Sequence, residues 1–128
     1  MGYHFSKKVA YDFDRAIERM TEELKKEGFG IITEIDVKKT FRDKLNVDFP
    51  RYKILGACSP AFAYRAIQAD DKAGTMLPCN IVIQEHENGQ VEISAIDPVA
   101  SLMAIRNDEI VNIATEVQQK LKNVIANL

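Results

Sequence analysis

Cys58 and Cys79 are the only cysteines of this 128-residue chain, and they are the residues whose chemistry stands out most. Each lies beside a proline at the edge of an apolar run: ILGACSPAFA over 54–63 and MLPCNIVI over 76–83. A thiolate is a nucleophile and a soft metal ligand, and its pKa falls beside the free N–H groups of a helix N-terminus. Cys58 precedes Ser59-Pro60, where Ser59 suits an N-cap and Pro60 the first helical position. Cys58 is therefore the candidate nucleophile. Cys79, at the start of an apolar strand, is its candidate resolving partner or second ligand. The competing reading for both is packing, since free cysteine is among the most buried residue types.

Ser59, Asn80 and Asp97 complete the candidate ligand-binding set around Cys58 and Cys79. Asn80 offers a donor and an acceptor, although asparagine at a strand entrance and Asp97-Pro98 are also ordinary turn chemistry. Two thiols are too few to close a zinc site. His86 stands seven residues beyond Cys79, an odd separation that puts the two on opposite faces of a strand. No cofactor is expected, and the one metal open to the chain is a divalent ion held through Cys58 and Cys79. No phosphate loop, nucleophile elbow, zinc-protease helix or dinucleotide fingerprint occurs, and no catalytic residue is assigned.

The elements that must position these residues follow from hydrophobic period. Tyr3, Phe5 and Val9 alternate with polar residues as a strand over 2–9, with Lys7 on the apolar side. Asp12 and Asp14 open a helix whose stripe is Phe13, Ala16, Ile17, Met20 and Leu24, and Gly28 closes it. A strand follows, with Ile31, Thr33, Ile35 and Val37 on one side. Val37, Phe41 and Leu45 then mark a short solvated helix. In YKILGACS, Tyr52, Ile54, Gly56 and Cys58 share one face, and a helix from Pro60 buries Phe62, Ala63, Ala66 and Ile67.

CNIVIQEHENGQVEISAI reads as a hairpin turned at Asn88-Gly89, with Cys79, Ile81 and Ile83 opposite Val91, Ile93 and Ala95. The last helix opens at Asn107 and carries Ile110, Ile113, Ala114, Val117, Leu121, Val124 and Ile125. The two long helices cover one face of a five-stranded, largely antiparallel sheet, an α+β fold in one domain over residues 1–128. The other face, with His4, Ile32, Leu55, Val82 and Ile96 among polar residues, suits an interface. A homodimer is expected.

Seventeen Lys and Arg against 19 Asp and Glu leave a formal net charge of −2, so no field draws a polyanion and no nucleic acid is expected. The first twenty residues hold no apolar run long enough for a signal peptide or a membrane span. With two cysteines read as free thiols, a cytoplasmic protein without a membrane partner is expected.

Three ordered motifs carry a resemblance: Gly56-Ala57-Cys58 before Pro60; Leu77-Pro78-Cys79-Asn80; and Ile96-Asp97-Pro98. On these the chain resembles the bacterial and archaeal family called domain of unknown function 302. That resemblance implies a fold like that of the TATA-binding protein, β-α-β(4)-α with short inserted helices, and a dimer. It implies no activity. The expectation is thus a cytoplasmic, dimeric module binding a small molecule or a protein. The alternative is a thiol- or metal-dependent enzyme using Cys58 with Cys79.

Overall fold

The computed structural model describes residues 2–128. Among them five strands, β1 (His4–Val9), β2 (Gly30–Asp36), β3 (Tyr52–Cys58), β4 (Cys79–Glu85) and β5 (Val91–Ile96), form one sheet in the order β1-β5-β4-β3-β2. Every neighbouring pair is antiparallel. Five helices accompany it: α1 (Phe13–Lys26), α2 (Val37–Leu45), α3 (Pro60–Ala69), α4 (Pro98–Leu102) and α5 (Asp108–Ala126). A one-turn 3₁₀ segment spans Ala73–Met76. The fold is α+β, as the order of periodic segments requires.

The helices form where period and caps agree. Asp12 accepts from the Arg15 N–H at the start of α1, and Gly28 takes a positive φ of 84° just beyond its end. Asn107 accepts from the Glu109 and Ile110 N–H groups to open α5. All seven apolar residues of the α5 stripe are buried. They meet Phe13, Met20 and Leu24 of α1 and the inner sheet face of Leu55, Ile81, Ile83, Ile93 and Ala95. Burying one such side chain fully stabilises by about 1.5–3 kcal/mol, so this layer dominates the fold's stability.

Lys7 reaches from the inner face of β1 to the carbonyls of Ala126 (3.2 Å) and Leu128 (2.8 Å). It thereby serves the acceptors at the end of α5, where a cation is favoured. Its place on the apolar side has this reason.

Ile81 lies opposite Ala95 and Ile83 opposite Ile93 as expected, while Val91 pairs with Glu85 and not with one of the three apolar residues of β4. Of the turn pair, Gly89 alone adopts positive φ, while the Asn88 side chain accepts from the Gln90 N–H. The turn is one residue longer than a two-residue hairpin loop.

Three face assignments differ from expectation. β2 carries a bulge between Ile31 and Thr33. Ile31 pairs with Ala57, Thr33 with Gly56 and Ile35 with Ile54, so the three do not share a face. Leu55 is fully buried under the helices rather than on the open side, because Tyr52, Ile54 and Gly56 take that side of β3. Helix α3 buries only Ala66; Phe62 and Ala63 are half-buried, and Ile67 is 45% exposed. It sits over the sheet's end like an eave.

Candidate functional site

Ala57 is paired with Cys79 across the β3–β4 ladder, and Cys58 is the next residue along β3. The two cysteines therefore lie at one corner, where β3 runs out into α3 and the chain enters β4 through Leu77-Pro78, a cis bond. Both are free thiols and partly buried. Both line one cavity of about 240 Å³.

Ala57 and Cys79 contribute from the sheet to this cavity, and Phe62, Ala63 and Ala66 from α3. Pro98 and Leu102 of α4, with Ile113 and Val117 of α5, complete the wall on the helix side. Phe29 stacks on Phe62 with centroids 6.5 Å apart and planes at 25°, and it borders the cavity beside Ile32. No charged side chain lines the space.

Ser59 is the polar side chain in this wall apart from the thiols. It occupies the N-cap position of α3 and is buried to 9% exposure, yet its hydroxyl makes no capping hydrogen bond. Among the described residues it has no side-chain partner at all. The hydroxyl is not sealed off, so it is open to water or to a molecule in the cavity.

Burial pushes the Cys79 thiol up from an ordinary 9.0 to about 11, and the neighbouring Cys58 adds to the shift. At neutral pH Cys79 is a protonated thiol, a weak nucleophile.

Asn80 and Asp97 are not in this wall. Asn80 is exposed on the opposite sheet face, paired with Gly56. Asp97 caps α4 by accepting from the Val99 N–H at 3.0 Å, and it also accepts from Gln118 Nε2 at 3.0 and 3.2 Å. Its own N–H donates to the Tyr3 carbonyl at 2.8 Å. Asp97 ties α4, α5 and the entry to β1 together. Of the five candidates, Cys58, Ser59 and Cys79 converge.

Sequence reasoning did not place Ile113, Val117, Phe29 and Ile32 at the site. The two α5 residues belong to the core stripe by period alone, and Ile32 reaches the cavity through the bulge. Gly56 does not line the cavity; a Cβ there would lie 2.7 Å from Pro78 Cγ and against the Thr33 side chain. Its smallness lets those two close over β3.

Among the described residues no group of three or more His, Cys, Asp or Glu is placed to hold a metal ion. No helix among them is long and apolar enough to cross a membrane.

The family described as "Domain of unknown function DUF302" matches residues 5–128. A crystal structure of an uncharacterized conserved protein DUF302 from Bacillus stearothermophilus is similar at 28% identity, with a TM-score of 0.89 over 98% of each chain. No curated protein matches.

Proposed function

The chain belongs to the family Domain of unknown function DUF302, a description that carries no activity, and on that premise we propose a dimeric, cytoplasmic module that binds a compact, neutral small molecule at the Cys58–Cys79 corner. One observation carries the reading. A nearly wholly apolar cavity of about 240 Å³ has in its wall the Ser59 hydroxyl, which makes no capping hydrogen bond.

The cavity sets the ligand's class. An engineered apolar cavity of about 150 Å³ takes benzene, while drug-sized ligands occupy roughly 300–1,000 Å³. A ligand here is larger than benzene and smaller than a drug: a substituted ring or a short branched chain. Burying an unpaired charge costs several kcal/mol, and no counter-charge lines the wall, so the ligand is neutral. Its single useful polar atom is an acceptor or hydroxyl facing Ser59.

Support for an enzyme is weaker. Burial holds Cys79 protonated, and neither histidine lines the cavity to serve as a base. The cytoplasmic setting is supported by two unpaired cysteines.

Thermal unfolding in the presence of acetophenone and of benzoate tests the reading, since the two share a ring and differ in charge. Acetophenone is expected to raise the melting temperature; at a hundredfold excess over its Kd the gain is about 2.7 kcal/mol. Benzoate should leave it unchanged. No shift with acetophenone, or an equal shift with both, would count against a neutral apolar site.

A further inference from the structure

We propose that Leu77 sets the length of the molecule that the apolar cavity accepts. The inference rests on the small-molecule reading above and adds to it the residue that decides which ligands fit. A second cavity, of about 280 Å³, lies behind the first. The two share the wall residues Leu77, Pro78, Cys79, Pro98 and Leu102, so a single layer of side chains separates them. Within that layer the prolines hold their rings against their own backbone, and Cys79 is short and paired with Ala57 in the ladder. Leu102 is buried in the core at 7% exposure. Leu77 alone joins a long side chain to a place outside helix and strand, half-buried at the end of the 3₁₀ segment and packed against the core.

The two spaces differ in chemistry. Hydrocarbon, the two cysteines and Ser59 line the first. The second adds the Thr75 and Ser101 hydroxyls and the Asn80 amide, and it reaches round the end of the sheet toward the outer face. Thr75 and Ser101 donate to the Lys72 and Pro98 carbonyls at 2.8 and 3.3 Å, and their oxygens keep lone pairs for water. Leu77 thus divides an apolar space from a polar one, and a chain that lengthens toward the second cavity meets its side chain. A methylene that fits gains about fourfold in affinity. One that presses on Leu77 loses that gain, because a packed interior yields little to added volume.

The test is calorimetric titration of the full chain with phenyl alkyl ketones of increasing chain length, from acetophenone to heptanophenone. In the wild type, affinity should rise about fourfold per methylene and then fall beyond a cutoff. Leu77→Ala should bind acetophenone as the wild type does and move the cutoff outward by roughly two carbons, so that the ketone at the new limit binds the variant roughly 15-fold more tightly than the wild type. An unmoved cutoff with normal acetophenone binding would overturn this inference alone, as would a wild type with no cutoff. Failure of the wild type to bind any ketone of the series would overturn the small-molecule reading and this inference together. If Leu77→Ala fails to fold, Leu77→Val decides: a longer cutoff supports Leu77 as the stop, and the wild-type cutoff refutes it. Ala63→Trp, which fills the first cavity from α3, should bind no member of the series; binding by the folded variant would put the ketones elsewhere and refute the role of Leu77.

Discussion

Cys79 is held as a thiol by the hydrocarbon around it, and this has a measurable consequence. A shift from 9.0 to about 11 leaves its thiolate fraction at pH 7 about 100-fold below that of an ordinary thiol. Peptide mapping after iodoacetamide treatment should find Cys79 alkylated about 100-fold more slowly than in the denatured chain at pH 7. The rate should climb about tenfold per pH unit toward pH 11, as the thiolate fraction does. Because the folded value is raised, this group's contribution to stability is intact below pH 9.0 and is lost as the pH climbs toward about 11. Labelling at the denatured rate would mean that the side chain is in water. The convergence of Cys58 with Cys79 was legible from their position at two strand–loop junctions, since consecutive strands usually neighbour one another. Asn80 and Asp97 lie outside the cavity wall for reasons of strand alternation and turn chemistry that the sequence already offers: Asp97 caps α4. Asn80 follows Cys79 and so points the other way.

Gly56 shows how an element carries the site without touching a ligand. Its bare backbone admits Pro78 from the β4 entrance and Thr33 from beyond the β2 bulge, and that closure sets the path of β3 into Cys58. Gly56→Ala forces a methyl to within 2.7 Å of Pro78 Cγ, and overpacking of this kind costs roughly 1–3 kcal/mol. Urea denaturation should show that loss as a lower midpoint at unchanged slope; an unchanged midpoint would mean that the loop yields freely. The elements themselves were largely open to sequence reading. The α1 and α5 stripes and the Asn88-Gly89 turn each combine period with a cap or turn residue, so two signals agree. The β2 bulge was not legible, because an extra residue leaves an apolar-rich run such as Ile31-Ile32-Thr33 looking like ordinary alternation. The exposure of Ile67 was hidden for a related reason: helical period gives a stripe but not how far the neighbouring surface reaches.

At the scale of the whole molecule, the sheet divides two tasks. Its inner face builds the core and the cavity floor; its outer face, with Ile54, Val82 and Ile96 half-buried among His4, Ser6, Ser94 and Gln84, is mixed in the way interfaces are. Five strands about 4.8 Å apart and roughly 20 Å long make a face of roughly 480 Å², so a stable interface of about 800 Å² per partner would take in the sheet's edges as well. Sedimentation at micromolar concentration should therefore give twice the 14.4 kDa of one chain, and Val82→Lys should return it to one. A monomer at every concentration would remove the dimer from the proposal. The cavity is independent of that face, and the central claim is that its space exists to be filled. Calorimetric titration of acetophenone into the wild type and into Ala63→Trp tests this most directly. The account predicts saturable one-to-one binding to the wild type and none to a folded Ala63→Trp; equal binding to both, or none to either, would contradict it.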